Sequence, residues 1–274
     1  MIAYVAKDSG GANLVLHHAL SSPNERSFYL FGIAKRIAFG LNIDYSNEES
    51  FSSLVSQVVS GANYPGEIGE MEKLLGKFQT HDIPIDGYLD GWEHLHNRFP
   101  EIKIRHYLVV DDYSESIARE LYPGKVKRVN NYYLDSTLTK LNSLRDRMTE
   151  DPNSVLYLSR PNLVNKKRVT KHGINCICYD LQIIFLRLVP RSILVRDHPL
   201  LNSITCINDF SYSAGVKIIR TEGTSPLAND LAPCRVAVGA PTPALGIAKE
   251  AGLRVFALKN SASHQASLHF PILN

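Results

Sequence analysis

IAYVAKDSGGANLVLHHAL, residues Ile2 to Leu20, holds three kinds of segment in a fixed order. Ile2 to Ala6 is a short apolar run of strand length. Lys7-Asp8-Ser9-Gly10-Gly11-Ala12-Asn13 is a polar turn with adjacent glycines. LVLHHAL then resumes with apolar residues at helical spacing. Strand, glycine turn, helix is the unit from which parallel α/β sheets are built. Whether the unit recurs decides the fold.

It recurs in both halves. SFYLF (27–31), RIAF (36–39), IPIDGYLD (83–90), YLVVDD (107–112) and VKRVNNYYL (126–134) read as further strands. GEMEKLLGKFQTH (69–81) and SESIARELYPG (114–124) read as helices, the second with a Ser cap and closed by Pro123-Gly124. TLTKLNSLRDRMTEDPNS is a polar helix, and Asp151-Pro152-Asn153-Ser154 marks a boundary. Beyond it VLYLSRP, SILVRDHP, VKIIR (216–220), RVAVG (235–239) and RVFALK (254–259) read as strands. NCICYDLQIIFLRL and LGIAKEAG, closed by Gly252, read as helices. The expectation is α/β with mainly parallel sheets, in two domains, 1–150 and 151–274.

Composition narrows the function. The chain has 274 residues, 44% hydrophobic and 21% charged, enough for two modest cores. A net charge of +3 without a basic block argues against nucleic acid as a partner. It tolerates anionic ligands and contact with a membrane surface. The cysteines at 176, 178, 206 and 234 have neither CxxC spacing nor a completing pair, so they read as small apolar fillers, with no metal site. MIAYVAKDSGG is unlike a signal peptide, and LQIIFLRLVP is too short to span a bilayer and is interrupted by Arg187. A reduced, cytoplasmic protein is expected.

Ligands of parallel sheets bind beyond the carboxyl ends of the strands, so polar residues there are the candidates. In the first half, Asp8, Gly10, Gly11 and Asn13 form an anion-ready turn, or simply a tight turn that uses two glycines. Asp90, beside Gly91 and the single Trp92, is a candidate general base; the alternative is a loop with solvated charges. Asp111-Asp112 suits a helix N-cap. Asn130-Asn131-Tyr132-Tyr133 offers hydrogen bonds to a sugar without distinctive chemistry. In the second half three strands end in polar loops: ILVRDHP with Arg196, His198 and Pro199, then IIRTEGT with Glu222, then VAVGAPTPAL with Gly239 and Thr242. Arg196 and His198 can donate to phosphate, while Asp197 points the other way by strand alternation. Three polar ends in one sheet should gather at one place.

RDHP (196–199) followed by VAVGAPTPALGIAKEAG (236–252) resembles the His-Pro and later Ser/Thr motifs of bacterial sialyltransferase-like and Kdo-transferase-like enzymes. VVSGANYPGEIGEMEKLLGKFQTHDIPIDGYLDGWEHLHNRF (58–99) and YLVVDDYSESIARELYP (107–123) resemble a pattern in GT-B-like proteins of bacterial surface-polysaccharide synthesis. Asp90-Gly91-Trp92 stands where that pattern has Asp-His-Trp, and Pro241-Thr242-Pro243 where a Ser-Ser or Ser-Thr would be. The resemblance implies two Rossmann-like domains with an interdomain cleft. It implies a metal-independent glycosyltransferase that takes a nucleotide-sugar donor as substrate, needs no cofactor, and serves a glycan or glycolipid acceptor. On this reading Arg196, His198, Glu222, Gly239 and Thr242 hold the nucleotide. Asp8, Gly10, Gly11 and Asn13 face the donor's phosphates or sugar, and Asp90 takes the acceptor's proton. A nucleotide-sugar hydrolase or epimerase of the same architecture, and a non-catalytic binding relative, are the alternatives. Oligomeric state is not legible.

Overall fold

A computed structural model of the chain describes residues 1–45, 54–62, 69–91, 95–147, 153–159, 171–197 (171–179 by backbone alone), 215–240, 242–258 and 270–273. The chain divides into two compact units, Met1–Ser136 and Thr137–Asn274.

The first unit is a six-stranded sheet in the order β2-β1-β3-β4-β5-β6, and every pairing is parallel. Its strands are β1 (Ile2–Ala6), β2 (Arg26–Leu30), β3 (Gln57–Gly61), β4 (Ile85–Tyr88), β5 (His106–Val109) and β6 (Val126–Arg128). Helices α1 (Ser9–Ser21), α2 (Ile33–Gly40), α3 (Glu70–Thr80) and α4 (Asp112–Leu121) alternate with them. Helix α5 (Tyr132–Arg145) follows β6 and spans the division between the units. Successive strand residues face opposite sides. Tyr4, Ala6, Val59, Tyr88 and Leu108 pack on α1 and α2, whereas Ala3, Val5, Val58 and Ile85 pack on α3. Both faces are covered, which is why these strands are apolar throughout rather than alternating.

The second unit is also six-stranded and parallel, in the order β12-β11-β10-β7-β8-β9. Its strands are β7 (Ser154–Leu158), β8 (Ser192–Arg196), β9 (Lys217–Thr221), β10 (Val236–Gly239), β11 (Arg254–Leu258) and β12 (Ile272–Leu273). Helices α6 (Lys171–Leu188), α7 (Leu227–Leu231) and α8 (Pro243–Glu250) belong to it. Leu181 and Ile184 of α6 pack with Val155, Tyr157, Ile193, Val195 and Val238.

Strand order locates the candidate site. In the first sheet β2 lies on one side of β1 and β3 on the other, so the connections leave in opposite directions between β1 and β3. In the second sheet the same reversal falls between β7 and β10, giving the doubly wound order counted outward from β7. Such reversals open crevices at the carboxyl edge, where ligands of this architecture bind.

Three local expectations need correction. RIAF is helical, within α2: Gly32, at φ +48°, turns the chain after β2, and Ala34, Ile37 and Ala38 are buried at helical spacing while Phe39 is 82% exposed. VKRVNNYYL is strand only through Arg128, because Asn131 Oδ1 accepts the Leu134 N–H (3.0 Å) and opens α5. The cap of α4 is Asp111 and not a serine; its carboxylate accepts the N–H (2.7 Å) and Oγ–H (2.8 Å) of Ser114.

Candidate functional site

At the β1/β3 reversal the backbones approach as closely as glycine allows. A Cβ on Gly11 would lie 2.9 Å from the Gly61 Cα, and one on Gly61 would lie 2.8 Å from the Gly11 Cα. The two glycines therefore seat the start of α1 directly on the end of β3. Gly10 serves a different neighbour: a Cβ there would lie 3.1 Å from Asp90 Cγ and collide with Oδ2. The sequence offered the glycine turn and Asp90 as separate candidates, and the fold puts them in contact.

Asp90 follows β4, and its side chain is 7% exposed. Arg98 Nη1 lies 3.3 Å from Oδ1, and among the described residues Oδ1 accepts no hydrogen bond. Burial pushes the Asp90 carboxyl above the ordinary carboxylate range; the Arg98 charge and the N–H groups of Asp90 and Gly11 oppose that shift. The amino end of α1, with its partial positive charge, thus already receives an anion from the protein itself. Asp8 is the N-cap residue of α1, and its carbonyl accepts the Ala12 N–H at 2.8 Å. Asn13 is half-buried and gives its Nδ2–H to the Ser9 carbonyl (2.9 Å), so that donor is spent within α1. Trp92, Glu93 and His94 lie outside the described residues.

At the opposite, amino edge of the same sheet a saturated cluster surrounds Asp86. Arg105 donates through Nε (2.8 Å) and Nη2 (2.6 Å), His106 Nδ1 lies at 2.9 Å, and Gln57 Nε2 donates at 2.9 Å. Burial raises the Asp86 carboxyl, but the Arg105 and His106 hydrogen bonds and charges hold it below the usual range. Asp86 read from the sequence only as part of a strand.

In the second unit Arg196 ends β8 with its guanidinium committed. Nη1 pairs with Asp230 of α7 and donates to Ser225 Oγ (3.2 Å), and Nη2 donates to the carbonyls of Gly223 (2.7 Å) and Ser225 (2.6 Å). Arg196, expected to hold phosphate, staples the loop after β9 to β8. Asp197 points away from it and pairs with Arg220, as alternation requires. Glu222 is exposed in that stapled loop, and its carbonyl accepts the Ser225 Oγ–H at 2.7 Å. Gly239 is a packing glycine at the β7/β10 reversal, where a Cβ would lie 2.9 Å from both the Cβ and the carbonyl oxygen of Leu158. Thr242 caps α8, its Oγ1 accepting the Leu245 N–H at 3.4 Å. His198 lies outside the described residues. The loop after β9 therefore joins β8, whereas Gly239 and Thr242 lie across β7 from them along the same edge.

Arg98 and Asp230 are the partners the sequence reading did not single out. Arg98 stood in a charged loop, and its only signal was Gly91, which leaves room for a guanidinium. Asp230 sits in a five-residue helix with no motif. Among the described residues no group of three or more His, Cys, Asp or Glu gathers to hold a metal, and no helix is long and apolar enough to cross a membrane.

No family model matches the chain. Solved structures do. UDP-GlcNAc 2-epimerase of Methanocaldococcus jannaschii, in complex with UDP-GlcNAc and UDP, superposes with a TM-score of 0.65 at 12% identity over 98% of this chain and 86% of its own. The Neisseria meningitidis UDP-GlcNAc 2-epimerase, bound to UDP-GlcNAc, gives 0.62 at 11% identity, covering 98% and 85%. MurG of Acinetobacter baumannii gives 0.53 at 9% identity, covering 98% and 82%. At these identities what is shared is the fold: α/β, with two Rossmann-like domains of parallel strands, GT-B-like. The resemblance read from the sequence holds at that level.

Proposed function

We propose that the protein is an enzyme acting on a nucleotide-activated sugar, with Asp90 as the proton acceptor. One observation supports this most: a carboxylate 7% exposed, set against the glycine turn at the β1/β3 reversal, with one oxygen that accepts no hydrogen bond among the described residues. Asp86, at the amino edge of the same sheet, is saturated by contrast. Because Asp90 already occupies the amino end of α1, the turn suits a neutral sugar hydroxyl better than a phosphate. The nucleotide is assigned to the second unit, near the β7/β10 reversal, with Gly239 and Thr242 as its expected contacts. The nucleotide-sugar is the substrate, and no further cofactor is invoked.

In the transfer reaction, Asp90 takes the proton of an acceptor hydroxyl. That oxygen forms a bond to the anomeric carbon, and the bond from that carbon to the phosphate oxygen breaks, its electron pair leaving with the nucleotide. Epimerisation is the second reading, favoured by the epimerases among the structures of like fold. There the same carboxylate would take its proton from carbon.

Thermal shift with UDP, CMP and GDP and their sugars tests the assignment. One nucleotide should stabilise the protein, by about 2.7 kcal/mol at a hundredfold excess over its Kd. A flat response across the panel would contradict it. Deuterium recovered in the sugar after incubation in D2O would mark proton abstraction from carbon, hence epimerisation; deuterium-free transfer to an acceptor would mark the transferase.

A further inference from the structure

We propose that Arg98 is a positioning residue for Asp90, locked by its own turn so that it aims the carboxylate and keeps it available as a base. The proposal rests on the reading of Asp90 as the proton acceptor.

The chain returns to Asp90 through a 3₁₀ turn, Leu95–Asn97, fixed on both sides of Arg98. Leu95 is buried in the core beside α3, and its carbonyl accepts the Tyr122 hydroxyl at 2.8 Å. Phe99 lies against β4, where Gly87 leaves it room: a Cβ there would be 2.6 Å from Phe99 Cζ. With both neighbours anchored, Arg98 extends toward the end of β4. Gly91 clears its path, since a Cβ at Gly91 would lie 2.6 Å from Nη2. Gly10, Gly87 and Gly91 thus each vacate the space that Asp90, Phe99 and Arg98 take. Two glycines clear space for the ion pair itself and the third seats Phe99, the residue after Arg98.

The electrostatics give the arrangement a purpose. Burial alone favours the protonated form of a carboxyl, and a cation beside it opposes that. Arg98, 16% exposed, is that cation, and at 3.3 Å it leaves Oδ1 without a hydrogen bond among the described residues and so open to a proton. A bidentate clamp, such as Arg105 makes on Asp86, would have quenched it.

The test is carboxyl ¹³C NMR titration of aspartate-labelled protein, with the Asp90 signal assigned by its loss in Asp90→Asn. In Arg98→Gln the Asp90 midpoint should rise by about one pH unit or more, a tenfold gain in proton affinity. The acid limb of the rate–pH profile should rise with it, and Arg98→Lys should restore most of the midpoint. Gly91→Ala provides a second route if Arg98→Gln does not fold, because its Cβ displaces the guanidinium; the midpoint should rise there too. An Asp90 midpoint that stays in place in either folded variant overturns the proposal. The titration needs no substrate: a displaced midpoint in a protein that turns over no nucleotide-sugar supports the pairing and sinks only the enzymatic reading.

Discussion

Asp90–Arg98 in the first unit and Asp230–Arg196 in the second are both carboxylate–guanidinium pairs at the carboxyl edge of a parallel sheet. In both, burial pushes the carboxyl above its ordinary range and the arginine opposes it. They differ in saturation. Arg196 spends its donors on Asp230, Ser225 and Gly223, tying a loop to a strand. Asp90 leaves Oδ1 without a hydrogen bond and meets its arginine at 3.3 Å. The pair is a fastening where both terminal nitrogens of the arginine are used, and a candidate reagent where, among the described residues, one carboxylate oxygen accepts no hydrogen bond. Position along the sheet is alike, since Asp90 follows β4 and Arg196 ends β8, each one strand from its reversal; only Asp90 has a glycine turn from the reversal set against it.

The contrast can be broken by mutation, and the largest effect should come from the fastening. Arg196→Met leaves Asp230 buried without its cation and should cost about 3–5 kcal/mol in urea unfolding. A loss under 1 kcal/mol, on the order of a surface pair, would show that the staple holds nothing. Next is Gly11→Ala, whose Cβ must displace the end of β3; overpacking of this kind costs about 1–3 kcal/mol. An unchanged unfolding midpoint would mean that the close approach there is dispensable.

Stability against pH sharpens the comparison further. Asp90 has its folded pKa above its unfolded one, so its contribution is full below the unfolded value and is lost as pH rises through the folded value. Each unit of separation amounts to about 1.4 kcal/mol. Asp90→Asn should therefore flatten that decline. Asp86 has the opposite sign: its stabilisation is present above its unfolded pKa and is lost as pH falls through the depressed folded value. Asp86→Asn should weaken the protein at neutral pH and flatten the acid side instead. Urea melts across a pH series decide both, and identical profiles for the two variants would remove the distinction. The smallest effect belongs to Thr242→Ala, which loses a helix cap worth about 0.5–2 kcal/mol; the long 3.4 Å contact points to the lower end.

What the sequence disclosed follows from what is local. Ile2–Ala6, Gly10-Gly11 and the apolar spacing after them are near neighbours, so strand, turn and helix were readable, and so was the recurrence that makes an α/β protein. RIAF misled because four residues cannot separate a period of two from one of 3.6; Gly32 before it was the missed signal. Asp90 could be singled out as a carboxylate at a strand end. Its contact with Gly10 could not, since that depends on β4 lying two strands from β1. The partners of Arg196 were hidden for the same reason. A guanidinium at a strand end suits phosphate equally well on paper, and only the fold of residues 222–230 shows its donors taken.

The central claim is that the unsaturated carboxylate is the reagent. Wild type and Asp90→Asn should be incubated with the nucleotide-sugar that stabilises the protein, and product followed by NMR. The expected result is turnover by the wild type and a fall of about 10²–10⁴-fold in the variant, the contribution of a general base, with nucleotide affinity unchanged. Turnover by Asp90→Asn at the wild-type rate would contradict it.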